Sequence, residues 1–353
     1  MMKKTVAVAI LSIALVSCKK ETKTITKVDP ETGKTVTVEI PVEDSAKAEK
    51  IAVANPAIKD SAGVYRQSFK LEKGKTYPLT TYQRDVQSIT APNGQSQSGT
   101  SESTDEMSFT VNNFENGVYD ISINLLGKKN SQTANGKTVS IDTGKPVPAD
   151  ENLKMMWNVN KALTGNKLNL KMKENGEVVS ITGFDPVYAK VNSTAGSLIK
   201  DAAQKSAFLK SFKSSFNEKT IKEQFSKNLI VFPANGAKVG QKWTETENAT
   251  PDGKVKITTN YTLKSVGNGL AVITVTGGIP KKSEQKKNQG MTHSLSSELS
   301  QSGTITLDQA TGWIKNQNTT IKTTQTETLS DGKKTESMKS TSTSTVIVNP
   351  AAK

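Results

Sequence analysis

Apolar residues recur at every second position along most of this chain, between stretches of serine, threonine and lysine. A period of two sends successive side chains to opposite faces, so the pattern predicts antiparallel strands with one buried face. The body opens near Tyr65, with strands over Phe69–Leu71 and Tyr77–Ile89. Met107, Phe109 and Val111 then lead through Asn116-Gly117 into Val118, Tyr119, Ile121, Ile123 and Leu125. Asn-Gly suits a two-residue hairpin turn, whose central residues both take positive φ; Asn113, Phe114 and Glu115 leave room for a longer one. Leu168, Leu170 and Met172 turn through Asn175-Gly176 into Val178, Val179 and Ile181. Val255 to Val275 turns at Gly267-Asn268-Gly269, and Ile305 to Ile321 near Thr311-Gly312. Residues 91–105 are rich in Ser, Gly, Gln and Thr and read as a loop. Thr323 to Ser344 is a Thr/Ser/Lys/Glu tail that ends in a last strand at Val346–Val348.

The period changes in two places. Leu153, Met155, Met156, Trp157, Val159 and Leu163 suit a short helix over 151–163. Leu198, Ala202, Phe208, Phe212 and Phe216 fall near helical spacing over 197–215, as do Ile221, Phe225 and Leu229 over 218–228, with Asn217 as the cap. Asp185 before Pro186 reads as a solvated loop. The strands after these helices echo those before: Gly74-Lys75-Thr76-Tyr77 by Gly240-Gln241-Lys242-Trp243, and each hairpin by a later one. Internal duplication and turn chemistry common to meanders both produce such an echo. The fold class that follows is mainly β (α+β). Two antiparallel β-meanders, over 65–190 and 230–350, form a curved sheet or half-barrel, with a central helical insertion over 197–228.

The N-terminus carries an address. Met1 to Lys4 is short and basic, and Thr5 to Val16 is almost wholly apolar. That run is too short to span a bilayer, which takes roughly 20 residues, and has the length of a signal-peptide core. Leu15-Val16-Ser17-Cys18 closes it in the manner of a lipobox, so residues 1–17 are expected to be a lipoprotein leader and Cys18 the acylated residue. Lys19 to Lys23 is abruptly polar, and residues 18–62 read as a lipid-anchored tether. Within it, the alternation of Thr24, Ile25, Thr26 and Thr35 to Ile40 about Asp29-Pro30-Glu31-Thr32-Gly33 predicts a hairpin. The body is then a single domain over 63–350.

Composition narrows the chemistry. Lys and Arg outnumber Asp and Glu by 47 to 33, and removal of a leader holding Lys3 and Lys4 takes the net charge from +14 to +12. The lysines are scattered and not interleaved with aromatics, which argues against nucleic acid as a partner. A membrane surface or an anionic envelope polymer fits diffuse charge beside an anchor better. Cys18 is the only cysteine and His293 the only histidine, so an internal disulfide and His/Cys zinc sets are unavailable. Asp252-Gly253 and Asp331-Gly332 read as turns, not calcium loops. His293 lies between lysine-rich and serine-rich stretches, in an expected exposed loop, with no Gly-x-Ser-x-Gly elbow before it. Neither a Walker loop nor a Rossmann fingerprint occurs, and no motif implies a cofactor. Glu106 beside Asp105 reads as a solvated pair.

Phe69 through Gly74 to Tyr77, then Phe232-Pro233 with Val239-Gly240-Gln241-Lys242-Trp243, and finally Gly303-x-Ile305-x-Leu307-Asp308 through Gly312-Trp313-Ile314 resemble one family. It groups secreted and lipid-anchored bacterial envelope proteins built on a domain of unknown function. The resemblance covers roughly residues 65–350; it implies an envelope location and a β-rich fold and assigns no functional residue.

The expected role is that of a lipid-anchored, non-catalytic binding protein on the outer membrane of a Gram-negative envelope, facing the periplasm or the surface. Its ligand would be a lipid or other apolar molecule. The candidate lining is the Phe208, Phe212 and Phe216 stripe with Trp157 and Trp243, although tryptophans including Trp313 also serve as core anchors. A structural or interaction component is the alternative, and a hydrolase of an envelope polymer comes third. Cys18→Ser is expected to release the protein from membrane fractions; a mutant that still pellets would show that attachment does not depend on the lipid.

Overall fold

Long alternating runs become long strands. The computed structural model describes residues 22–28, 35–41, 56–250, 253–288 and 290–350. Contacts divide the chain into Met1–Ala52 and Val53–Lys353. In the first unit, β1 (Thr22–Val28) and β2 (Thr35–Pro41) pair as an antiparallel hairpin with Ile25 opposite Val38. Cys18 and the leader lie outside the described residues.

In the second unit a short hairpin, β3 (Lys59–Ser61) and β4 (Val64–Arg66), precedes the main sheet. The first meander holds β5 (Thr76–Thr90), β6 (Ser96–Glu115), β7 (Val118–Ala134), β8 (Lys137–Asp142), β9 (Lys167–Lys173) and β10 (Val178–Thr182). Helix α1 (Glu151–Leu163) interrupts it, and α2 (Phe184–Leu198), α3 (Ala202–Ser215) and α4 (Glu218–Leu229) follow. The second meander holds β11 (Lys242–Asn248), β12 (Lys256–Gly267), β13 (Leu270–Asn288), β14 (Met291–Asp308), β15 (Ile314–Ser330) and β16 (Thr335–Val348). All pairings are antiparallel. The order is β10-β9-β7-β6-β5-β16-β15-β14-β13-β12-β11, with β8 on the outer part of β7, so the last strand of the second meander pairs with the first strand of the first. The two end strands, β10 and β11, do not meet, and the sheet stays open.

Several sequence expectations change. Phe69–Leu71, expected as a strand, lies in an irregular segment between β4 and β5. The helix expected over 197–215 is α3, which starts only at Ala202. Residues 91–105 are largely strand: only Ala91–Gln95 turn, and β6 starts at Ser96. The Thr/Ser tail is likewise paired, as most of β15 and β16. These segments lack an apolar face, but threonine's branched side chain favours extended backbone. Asp185-Pro186 opens α2 instead of a loop. Proline is tolerated in a first helical turn, where its missing N–H has no intrahelical partner, and an aspartate there meets the positive end of the helix dipole.

A bridge of backbone hydrogen bonds bends the sheet. β9 and β15 stand five steps apart in strand order, about 24 Å in a flat sheet at the usual 4.8 Å spacing. Yet the Phe69 amide donates to Glu174 O after β9, at 2.6 Å, and the next amide, Lys70, donates to Thr311 O before β15, at 3.0 Å. Adjacent residues lie only ~3.8 Å apart, so the sheet must curl to bring the β9–β10 and β14–β15 turns to one short segment. Gln67 ties the same place: its Nε2 donates to Leu229 O at 2.8 Å and Gly312 O at 3.2 Å, while its Oε1 accepts from Val231 N and Phe232 N. Gly312 has φ +74°, and a Cβ there would collide with Ser68 O.

The core fills this plugged end. Alternate residues of the inner face, including Phe109, Ile121, Leu170, Leu263, Ile273 and Leu307, are buried. Trp313 packs its ring against Tyr77 and Phe109, at 5.5 and 5.1 Å, and donates from Nε1 to Pro78 O. Tyr119 Oη donates to Phe69 O and accepts from Leu71 N, which holds the plug from beneath. Gln67→Leu leaves two carbonyls and two amides without their partner, at roughly 1–3 kcal/mol for each group that water does not reach. The expected result is a loss of about 2–4 kcal/mol in urea unfolding; a change under about 0.5 kcal/mol would show that Gln67 does not hold the plug.

Candidate functional site: a trough between helices and sheet

Past the core, the inner face meets the helices. α1 is capped by Asp150, whose carboxylate accepts from Asn152 N and Leu153 N at 3.0 and 3.1 Å. It is fastened to the end of β8 by Trp157 Nε1, which donates to Asp142 O, and to the next residue by Lys161 Nζ, which donates to Thr143 O. Asn217 caps α4 by accepting from Thr220 N. With the start of α4 fixed, Ile221, Phe225 and Leu229 face the core at helical spacing, and Phe225 sets its ring edge-on to Phe109 at 5.4 Å.

Between these helices and the sheet lies a cleft of about 440 Å³. Leu79, Met107, Leu125 and Val348 line it from the sheet, and Leu163, Phe216, Ile221 and Phe225 from the helices. Lys128 and Asn160 also line a second cleft of about 510 Å³, where the sheet supplies Asp85, Ser101, Ser103 and Asn130. Leu153 and Met156 of α1 and Ile141 of β8 line its other side. The two share Lys128 and Asn160 and form one trough whose sheet side turns from apolar to polar, while α1 and β8 keep its far end apolar on the other side. The change follows from strand parity: Leu79 gives way to Thr81 two residues on, and Met107 to Asp105 two residues back, so each strand changes character on the same face.

The polar part is rich in acceptors. Lys128 Nζ meets Asp105 Oδ1 at 2.5 Å, with both side chains about a third or more exposed. Gln83 Nε2 donates to Asp85 Oδ2 at 2.9 Å. Asn130 Oδ1 is buried with no hydrogen-bond partner. Among the described residues, no group of three His, Cys, Asp or Glu side chains could hold a metal.

Of the residues singled out in the sequence, Phe216 lines the trough. Phe208 and Phe212 stack behind it, at centroid distances of 6.5 and 5.6 Å along the run, and pack partly buried against the core. Trp157 lines an adjoining depression with Tyr82 and Lys145, which shares Glu102, Ser103, Asn130 and Ile141 with the second cleft. Trp243 lies at the β11 edge, stacked between Phe232 and Tyr261. There burial, with Glu245 beside it, pushes the Tyr261 phenol up to about 12. His293 sits in β14 and not in a loop, with Nε2 at 2.5 Å from Glu327 Oε1, and lines neither part of the trough. The sequence reading missed the other lining residues as a site. Strand alternation marks Leu79, Met107, Leu125 and Val348 as core-facing, yet nothing local shows which of them the helices leave uncovered.

Residues 116–314 match the model of a family of unknown function, DUF6263. No curated protein matches the chain. Among solved structures, lipovitellin, described for its lipid–protein interactions, is similar at 13% identity and a TM-score of 0.33, over 80% of this chain and 26% of that one. The chain thus spans about a quarter of the length of that protein. OccK5 of Pseudomonas aeruginosa is similar at 6% identity and a TM-score of 0.18, over 78% of this chain and 99% of that one. An outer membrane channel of Pseudomonas putida F1 is similar at 12% identity and a TM-score of 0.16, over 82% and 99% of the two chains. Scores this low carry no argument about function.

Proposed function

The chain belongs to DUF6263, a family of unknown function, and we propose that it is a lipid-anchored envelope protein that binds an amphiphilic molecule in its trough. The anchor is the acyl-modified Cys18, and the location is the outer membrane of a Gram-negative cell. The observation that carries the reading is the change along the sheet side of the trough, from Leu79, Met107 and Leu125 at one end to Asp85, Ser103 and Asn130 at the other. Each part lies within the roughly 300–1,000 Å³ usual for small-molecule sites. An apolar chain displaces water from the first part, which is the favourable term. A polar head keeps the second part hydrogen-bonded, which avoids the cost of desolvating unpaired acceptors.

A second reading, a structural component that presents its sheet to an anionic envelope polymer, is favoured by one observation. The face of β15 and β16 opposite the core carries Thr324, Thr326, Thr341 and Thr343 with Lys322 and Lys339, in cross-strand register.

The first reading is tested by titration with a dansyl-labelled long-chain amphiphile. Saturable binding is expected. Leu125→Arg places a charge in the apolar part and is expected to weaken binding at least about tenfold, or about 1.4 kcal/mol. Leu126→Arg, at the neighbouring bulge position where Leu126 is 56% exposed, should leave it unchanged. Absence of saturable binding, or equal loss in both variants, would overturn the reading.

A further inference from the structure

The strands outrun the core. β5, β6, β7 and β13 to β16 continue past the trough to an end of the sheet opposite the plug, where the tips are the β5–β6, β7–β8, β13–β14 and β15–β16 turns. This end is built mainly of Ser, Thr, Gln and Lys, so its large apolar residues stand out. Ile89, Val139, Met291, Leu329 and Met338 are between 36% and 49% exposed. Each lies within a few residues of one of the four tips, and every tip has at least one.

They also share a face. In antiparallel pairs, directly opposed residues point the same way. Ile89 lies opposite Ser340, which has the parity of Val348, a core residue. Met338 shares that parity, and its partner Glu327 shares that of Leu329. Leu329 lies opposite His293, two residues from Met291. Val139 lies opposite Gln132, two residues from Asn130, whose partner Ser103 faces Gln83 across the sheet. All five therefore sit on the inner face, in a row along the rim.

Three of the four tips are basic, while the β5–β6 turn and its flanks carry no Lys or Arg. Lys281, Lys282, Lys286 and Lys287 line the exposed outer half of β13 against Glu284. Lys137 begins β8, and Lys333 and Lys334 form the β15–β16 turn. Three of the nearby carboxylates are engaged within the protein: Asp331 accepts from Lys333 N and Lys334 N, Glu336 pairs with Lys334 Nζ, and Glu327 pairs with His293; Glu284 is outnumbered by the four lysines of its own strand.

We propose that this rim is a membrane-docking surface for a bilayer containing anionic lipids. The lysines meet lipid phosphates, and the row of apolar side chains enters the interfacial zone, into which such faces reach about 5–10 Å. At ~3.3 Å per residue, Leu329, Met291 and Ile89 lie within that depth of their turns. Of the five, only Val139 also lines the second cleft, and Ile89, Met291, Leu329 and Met338 line neither part of the trough, so the contact does not require an occupant there. It is also distinct from acylation, because exposed charge pairs of this kind are screened by salt.

The full chain with Cys18→Ser has no remaining thiol, so one cysteine can be introduced at a time and labelled with an environment-sensitive fluorophore. Leu329→Cys, Ile89→Cys and Met291→Cys test the rim. Leu126→Cys is the control, more exposed than the rim residues but far from the tips. With vesicles of phosphatidylethanolamine and phosphatidylglycerol, the rim labels are expected to brighten, shift to the blue and be quenched by spin-labelled acyl chains, while the control stays constant. The shift should fall at high salt and with Lys286→Glu/Lys287→Glu, and be weaker on phosphatidylcholine vesicles. Rim labels that do not respond, that respond no more than the control, or that respond equally to neutral vesicles would overturn the proposal. So would a blue shift that appears without vesicles as protein concentration rises, since that identifies a second copy as the occupant.

Discussion

Two adjacent amides set the curvature of the main sheet. Phe69 and Lys70 hydrogen-bond to turns that a flat sheet would hold far apart, and Gln67 secures the same junction with four further bonds. A twelve-stranded open sheet with one apolar face would otherwise expose that face. Once curled, it packs the face on itself through Trp313, Tyr77, Phe109 and Phe69. The remaining opening admits Phe225 of α4 and leaves the trough beside it. The architecture therefore depends less on the strands, which pair along most of their length whatever the curvature, than on a short irregular segment before the first long strand.

The trough sits where the demand for burial ends. Toward the plug, inner-face positions must be apolar because plug and helices exclude water. Beyond the helices the strands continue with mostly hydroxyl and amide side chains, and large apolar residues return only near the tips. The Lys128–Asp105 pair lies at this boundary, too exposed to add much stability. Its effect is on the water and polar groups that the trough can hold. An amphiphile matches that boundary because its own polarity changes along its length.

Elements whose signals are local were legible in the sequence. Asn116 and Gly117, at φ 51° and 74°, make the two-residue turn that their chemistry requires, without the lengthening that Asn113 to Glu115 left open. Asn217 caps α4 where the cap was read, and α1 spans 151–163 as the apolar spacing requires. Elements that depend on context were not. α2 was hidden by Asp185-Pro186 and by a glycine cap, Gly183, that makes no side-chain bond. β6 begins inside a Ser/Gly/Gln segment with no buried face to mark it. The phenylalanine stripe was legible as a helix face, but it split in the fold: Phe216 reached the trough, while Phe208 and Phe212 packed beside it. Trp157 and Trp243 went to separate places because each answers to its own strand, β8 and β11. A site shared among nine elements leaves no spacing to read.

The central claim is that the curled sheet holds an amphiphile where its inner face turns from apolar to polar. Native mass spectrometry of the intact protein, isolated gently from its own membranes, tests this most directly. The account predicts a one-to-one complex, above the mass of the acylated chain, whose ligand is lost on collisional activation and carries both an apolar chain and a polar head. A mass equal to the acylated chain alone, with nothing released, would contradict it.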